Sequence, residues 1–518
     1  MTTESPAAVA APGPRSARAL VIFATWAAAA CGFVYELVLI ALGTYLYGNS
    51  VEQVSVVLGV FVAAMGAGSL VSKPLMRSPV AALVAIEGTV ALVGGLSALA
   101  LYAAFAWLDL YVPAMLATAA LIGLLVGAEL PLLLTLVQRI RRESAGRSAS
   151  DLLAADYAGA LVAGLAFPFL LLPLFGQIQS AIAVGALNAA VGLVLLAVFR
   201  NEVRRPARVG LAVGLALVLV ALGGTAAVAD RFQTTARQAL YDDPIVFSED
   251  TKYQSIVLTE ALRTDDLRLF LNGDLQFSSV DERRYHESLV HPAMAGRHDR
   301  VLILGGGDGL AAREVLRYPD VRGVTLVELD PAMWRLAKED PRLRALNGNV
   351  ADDPRLSVVT EDAFSWLRKA TPAAWDVIIA DLPDPDDAAL AKMYSVEAYG
   401  MMRRALTPGG RLVVQSGSPF FAQDAYWDVE ATLRAAGLAT VPYHVDVPSF
   451  GDWGFHLAAR GAPPALTIDP PERLSFLDPA VLGAAAVFPR DRGRTHVEPS
   501  TLDRPTILEY QRKGWRDY

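Results

Sequence analysis

The sequence predicts a multi-pass α-helical membrane bundle followed by an α/β domain, the second a Rossmann-like sheet preceded by a small antiparallel β unit. Three observations carry this. The 518 residues are 53% hydrophobic and only 19% charged, with a mean hydropathy of +0.37, too apolar for an ordinary soluble enzyme. Charge is unevenly placed: residues 1–229 hold 12 Lys+Arg and 10 Asp+Glu, while 230–518 hold 33 and 43. Near Asp243 the pattern changes from long apolar runs to short alternating ones. A purely soluble enzyme and a disordered chain are both excluded. The acidic second half disfavours a nucleic-acid ligand and suits a cationic small molecule. The single cysteine, Cys31, lies in an apolar run, so no intrachain disulfide is possible.

Seven apolar stretches are long enough to cross about 30 Å of hydrocarbon: 20–42, 51–72, 80–106, 111–137, 152–174, 178–199 and 209–229. Residues 1–19 read as a disordered N-terminal tail rich in Ala and Pro. The first stretch is too long for a signal-peptide core and should be retained. Arg15 and Arg18 precede the first stretch, and Lys73 and Arg77 follow the second. Arg139, Arg141, Arg142 and Arg147 follow the fourth, and Arg200, Arg204, Arg205 and Arg208 follow the sixth. The alternate loops have no Lys or Arg, which puts the N-terminus in the cytoplasm. Glu36, Glu87, Glu129 and Asp156 fall within spans and should face the bundle interior, as a cation site or as paired or protonated groups. Gly123 and Gly127 are spaced for close helix packing.

In the second half, Ile245–Phe247, Ser255–Thr259 and Arg268–Leu271 read as strands, with Asn272-Gly273 as a turn, making a β unit and lid segment within 230–298. A helix near Asp281–Met294 leads into a catalytic domain over 299–460. There strands at Val301–Leu304, Val324–Glu328, Leu356–Thr360, Val377–Ala380 and Arg411–Gln415 alternate with helices. That alternation predicts a parallel, doubly wound sheet. Two more strands fall near 441–447 and 453–459. Residues 461–518 read as a peripheral tail with little chemistry.

The first parallel strand ends in Gly305-Gly306-Gly307-Asp308-Gly309, where Gly305 and Gly307 let backbone approach a nucleotide. Glu328 ends the second strand, at the right distance to accept from ribose hydroxyls. Glu361-Asp362 ends the third, where an acid can accept from an adenine amino group. Asp308 discriminates between donors: it would repel the carboxylate of ordinary S-adenosylmethionine but attract a donor ending only in an ammonium. The fourth strand runs into Asp381-Leu382-Pro383-Asp384-Pro385-Asp386-Asp387, four acids on a loop stiffened by proline. Such a loop suits binding a dication and taking a proton from an alkylammonium. Gln276, Asp281, Glu282, Tyr285 and His286 lie in the lid-like segment, with Tyr285 able to position the attacking nitrogen. The six histidines are scattered, and His286, Glu287 and His291 lack the spacing of a helical zinc pair.

Over about 244–460 the chain resembles the polyamine aminopropyltransferase (spermidine synthase) family, and its first half resembles that family's integral-membrane branch. The resemblance rests on Tyr253-Gln254, Asn272-Gly273-Asp274-Leu275-Gln276, Asp281-Glu282-Arg283-Arg284-Tyr285-His286-Glu287, the glycine turn and the Asp-x-x-Asp-Pro loop, together with Tyr35-Glu36 and Glu129-Leu130-Pro131. It implies aminopropyl transfer from decarboxylated S-adenosylmethionine to putrescine or a related amine, giving spermidine and methylthioadenosine, with no tightly bound cofactor and no metal. It also implies roles: Asp381 accepts the proton and Tyr285 stands beside the nucleophile. Asp384, Gln415 and Gln276 hold the acceptor; Gln254, His286, Asp308, Glu328 and Asp362 hold the donor. A homodimer is implied as well. The chain departs from the family pattern at Pro448-Ser449-Phe450-Gly451, where soluble members carry a tyrosine, at Asn272, and at Leu382-Pro383. These departures bear on which amine is accepted.

Two other readings use the same residues: an S-adenosylmethionine-dependent methyltransferase, and a membrane polyamine carrier or sensor with a soluble binding module. The location expected is the cell membrane, multi-pass. Seven crossings from a cytoplasmic N-terminus leave the second half outside, whereas supply of an S-adenosyl donor places it in the cytoplasm; the second consideration is preferred.

Overall fold

Apolar runs of more than 20 residues satisfy their backbone groups internally only as helices, and in the computed structural model each of the seven stretches is one. The structure describes residues 14–47, 51–108, 110–141 and 145–516. The chain divides into two units, Met1–Asp242 and Asp243–Tyr518. The first holds α1 (Pro14–Tyr47), α2 (Val51–Val71), α3 (Pro79–Ala103), α4 (Tyr111–Arg141), α5 (Ala145–Ala166), α6 (Leu172–Val198) and α7 (Arg205–Gln238). Residues 14–19, expected in the tail, instead open α1, where Arg18 pairs with Asp151 of α5. The rest of that tail and Arg142 lie outside the described residues, as do the side chains of Arg15, Arg141 and Arg147.

Among the described residues of this unit, six segments can cross a membrane by length and composition, one of them the 50 residues of 149–198. As one straight helix that segment would span about 75 Å, far more than a bilayer core. It reverses instead. A π turn at Phe167–Leu171 follows α5, and Gly176 breaks the start of α6 with φ 68° and ψ −173°. Gly159 and Gly164 of α5 press on Trp26 and Phe33 of α1, and α6 returns beside the start of α1, where Leu20 and Ala24 face Leu187, Val191 and Leu195. Gly123 and Gly127 of α4 sit on the Phe61 and Met65 carbonyls of α2, the close approach their spacing predicts. Of the four acids, Glu36, Glu87 and Glu129 are buried and Asp156 is half-buried.

The second unit starts with four antiparallel strands, β1 (Ile245–Asp250), β2 (Ser255–Glu260), β3 (Leu267–Leu271) and β4 (Asp274–Ser278), in sequence order. Asn272 and Gly273 turn between β3 and β4 with positive φ. Helix α8 (Glu282–Met294) follows, then β5 (Arg300–Gly305), α9 (Leu310–Leu316), β6 (Gly323–Glu328), β7 (Leu356–Thr360), β8 (Trp375–Asp381) and β9 (Leu406–Gln415). The hairpin β10 (Leu438–Val447) and β11 (Gly451–Arg460) completes the sheet. The order is β10-β11-β9-β8-β5-β6-β7. Strands β5 to β9 are parallel, but β11 runs antiparallel to β9. The expected parallel strands are β5 to β9; the two further strands add an antiparallel edge, because residues 448–450 between β10 and β11 are too few for a crossover and allow only a hairpin.

The expected peripheral tail is corrected. Residues 461–516 pack onto the sheet domain with helices Pro479–Ala485 and Thr506–Trp515. The buried Glu287 carboxylate accepts from the backbone N–H groups of Ser475, Phe476 and Leu477 at 2.8–2.9 Å.

Candidate active site

Chain order leaves β5 in one direction through β6 and β7, then returns to its other side at β8. The carboxyl ends of β5 and β8 thus open a crevice, the place where such sheets bind ligands. Gly305 is in register with Asp381, so strand pairing alone sets the glycine turn beside the acid-rich loop. Gly305 and Gly306 have φ of 79° and 63°, and the Gly306 N–H donates to the Asp381 carbonyl at 3.0 Å. A side chain at Gly305 would collide with that carbonyl, and one at Gly307 with the Glu328 carboxylate. Glu328 accepts from the Asp330 N–H at 2.9 Å, and burial pushes it up to about 7. Asp308 accepts from the Leu310 N–H at 2.8 Å and is also raised by burial.

Next to the turn, the Tyr285 hydroxyl donates to Asp381 Oδ1 at 2.7 Å. Tyr285 is held by the rings of His286, Phe450 and Phe455 at centroid distances of 4.9, 6.1 and 5.4 Å. Asp381 is pushed up to about 6, first by burial and further by Asp308, with His286 and the Tyr285 hydrogen bond opposing. His286 is buried, yet Glu282 raises its pKa; its Nδ1 lies 2.8 Å from the Glu282 carbonyl and 3.0 Å from Oε2. Glu282 takes the fork of Arg313 at 2.8 and 2.9 Å. Against burial, His286 and Arg313 hold Glu282 down to about 2. His286, which interacts with Asp308 and Asp381, is therefore fixed by a buried Glu282–Arg313 support.

On the other side of Asp381, Asp384 receives two amides: Gln415 Nε2 at 2.9 Å and Gln511 Nε2 at 2.6 Å. Gln415 can point only one way, because its Oε1 accepts from Trp453 Nε1 at 3.2 Å and the Gly417 N–H at 2.8 Å. Burial raises Asp384. Asp274 and Asp386, at the mouth where solvent still reaches them, are pushed up to about 6 and about 7 by partial loss of water. Repulsion adds to this, from Asp384 on Asp274 and from Asp274, Asp387 and Asp384 on Asp386. Carboxylates raised by each other are stabilised by an incoming cation. Gln276 donates to the Asp274 carbonyl at 3.2 Å, so it supports this rim through backbone.

The remaining expected residues are more scattered. Asp362 closes β7 beside Glu328, with the Glu361 N–H on the Glu328 carbonyl at 3.0 Å. Its own carboxylate is already engaged by the Ser365 N–H at 2.9 Å and Lys392 at 2.7 Å. Gln254 lies in the β1–β2 turn, which Thr251 ties to Asp330 at 2.7 Å. Sequence reasoning missed Arg313, Asp274, Trp453 and Gln511. Gln511 sits 127 residues from Asp384, and a lone Gln in a Pro- and Arg-rich segment has no local signal. Trp453 lies one turn of hairpin past the Phe450 departure, and Ser449 there is held by Asp281 through its N–H and hydroxyl at 2.7 and 2.9 Å. Among the described residues no group of three or more His, Cys, Asp or Glu is arranged to hold a metal ion.

The family model for the spermine/spermidine synthase domain matches residues 282–467. Polyamine aminopropyltransferase 1 of Streptomyces coelicolor is 57% identical over 510 residues, covering 97% of this chain and 96% of that one. The polyamine aminopropyltransferase of Mycobacterium tuberculosis H37Rv is 48% identical over 509 residues, covering 96% and 97%. A solved spermidine synthase in complex with the transition-state analogue AdoDATO is similar at 25% identity and a TM-score of 0.44, covering 47% of this chain and 85% of that one.

Proposed function

The chain belongs to the polyamine aminopropyltransferase family, and we propose how its own residues run that reaction. It transfers an aminopropyl group from decarboxylated S-adenosylmethionine, a cosubstrate and not a bound cofactor, to an amine. One observation carries the assignment of roles: the Tyr285–Asp381 pair stands between the glycine turn and the Asp384–Gln415 pair. Donor and acceptor meet there.

In this reading the acceptor arrives as an ammonium, which has no lone pair. Its far nitrogen is held by Asp384, oriented by Gln415 and Gln511, with Asp274 and Asp386 supplying negative potential at the mouth. Asp381 takes a proton from the near nitrogen, and Tyr285 fixes which carboxylate oxygen does so. The freed lone pair attacks the methylene next to the sulfonium. A nitrogen–carbon bond forms as the carbon–sulfur bond breaks, and its electrons neutralise sulfur, releasing methylthioadenosine. The leaving group is good, so positioning dominates. On the donor side Glu328 takes the ribose and Asp308 the donor ammonium, with Gln254, His286 and Asp362 around them. Asp308 also argues against an ordinary methyl donor, whose carboxylate would sit against it. We place putrescine or a related diamine as acceptor, because Asp381 beside the glycine turn and the separate acidic group of Asp274, Asp384 and Asp386 suit two positive charges.

The apolar helices α1–α7 we assign to a lipid bilayer, making this a multi-pass protein of the cell membrane. Cosubstrate supply places the second unit on the cytoplasmic side, against the count of seven crossings. A reporter fused after Tyr518 tests this, and an external reading would give the crossing count priority. The dimer implied by the resemblance is measurable by mass in detergent. The reaction itself is tested with purified chain, decarboxylated and intact donor, and a set of amines. Methylthioadenosine formed in equal amount to a lengthened amine supports the reading; methyl transfer from the intact donor with no methylthioadenosine overturns it.

A further inference from the structure

The first unit carries a polar centre that the transfer reaction does not use. Glu87 of α3 is fully buried, and neither carboxylate oxygen has a hydrogen-bond partner among the described residues. Glu129 of α4 is 4% exposed, with one oxygen likewise unpartnered. Tyr35 of α1 is fully buried, its ring laid on Gly94 of α3 and its hydroxyl unpartnered. Tyr35 interacts electrostatically with both glutamates, as does Cys31 one turn earlier, and the two glutamates interact with each other. Asn188 of α6 is 1% exposed with both amide atoms unpartnered. It lies one turn before Gly192, which touches Glu87 Cβ, on the face that Gly185 and Gly192 press against α3. Half-buried Asp156 of α5 faces Glu129 electrostatically.

Every one of these groups can accept a hydrogen bond, and among the described residues of this unit no Lys, Arg or His is buried. Buried polar groups are normally satisfied, and buried carboxylates are normally paired. Protonating both glutamates removes their charge and, with the Tyr35 hydroxyl and the Asn188 amide, gives the cluster donors of its own; left ionised, the two carboxylates have no cationic side chain beside them among the described residues. The described carboxylates do not form a metal cage. An ammonium on an apolar chain meets the charge of the carboxylates and donates to their orphaned oxygens and to the Asn188 Oδ1, while the buried apolar side chains of the same helices, Val38 and Leu39 of α1 and Val90 and Ala91 of α3, suit methylenes.

We propose that Tyr35, Glu87, Glu129 and Asn188 form a binding site for an alkylammonium within the helical unit, separate from the catalytic crevice. The site goes beyond the transfer reaction; only the choice of amine as probe rests on that reading. The test uses the full chain in lipid nanodiscs, carrying Asp381→Asn and Asp384→Asn to weaken amine binding in the crevice. Radiolabelled 1,4-diaminobutane is the probe. One diamine per chain should remain bound, with affinity falling at least tenfold on adding Glu87→Gln and Glu129→Gln, or Asn188→Leu alone. Retention of bound diamine after these changes overturns the proposal, as does absence of binding before them, which would leave the glutamates simply protonated. Glu87→Gln in the otherwise native chain should keep its transferase activity, showing that the variant folds. If no amine is a transfer substrate yet diamine binds in a Glu87-dependent way, the reaction assignment fails and this site stands.

Discussion

The two units treat buried carboxylates in opposite ways. In the second unit each acid assigned a role above has a named partner: Tyr285 on Asp381, Gln415 and Gln511 on Asp384, the Leu310 N–H on Asp308, the Asp330 N–H on Glu328. In the helical unit Glu87 has none among the described residues. Partners fix a carboxylate's direction and leave its charge available for chemistry; an orphan has nothing to orient it. The difference teaches that burial alone does not make a catalytic acid. Orientation does, and it comes from neighbours supplied by several distant segments.

The comparison can be broken most sharply at Asp381. Asp381→Asn keeps the shape and the Tyr285 contact but cannot accept a proton, so kcat/KM should fall by roughly 10²–10⁴-fold. Full activity in a stopped assay of methylthioadenosine would remove Asp381 from its role. Next is Gly307→Ala, whose methyl would collide with the Glu328 carboxylate. The donor KM should rise by about 10- to 100-fold, about 1.4–2.8 kcal/mol, with acceptor KM little changed. Smaller is Gln511→Ala: Gln415 still donates to Asp384, so only the low end of the about 1.5–3 kcal/mol for a hydrogen bond to a charged group is lost, and acceptor KM should rise roughly tenfold at nearly constant kcat. An unchanged acceptor KM would mean that the C-terminal helix only covers the site. The mildest perturbation is pH. Asp381 must be ionised to accept a proton, and burial has raised it to about 6, so activity should be present near neutrality and half lost as pH falls to about 6. A profile flat down to pH 4.5 would show that its carboxylate is not so shifted.

Much of the catalytic crevice is legible in the sequence because it is local. A glycine turn after one strand and an acidic loop after another are each contiguous, and parallel pairing brings Gly305 to Asp381 without further information. The β10–β11 edge was less legible: strand signals do not state direction, and the short Pro448–Phe450 connection decides it. Helix reversal at Gly176 and the seat of Gly123 and Gly127 on α2 follow from small residues in apolar runs, where a missing side chain lets backbones meet. The C-terminal segment misled, since its helix Thr506–Trp515 is short and its one decisive side chain carries no motif.

By itself, then, the sequence determined the division into an apolar helical half and an acidic α/β half, the strand and helix series, and the residues Asp308, Glu328, Asp381 and Asp384 at strand ends. These follow from hydrophobic periodicity, turn chemistry and charge, which act over a few residues. Only the tertiary structure decided that Gln511 shares Asp384 with Gln415, that Glu282 and Arg313 hold His286, and that Tyr35, Glu87 and Glu129 of three separate helices interact. Those are pairings between side chains far apart in the chain. They depend on where packing brings whole elements, and no local pattern of residues encodes that.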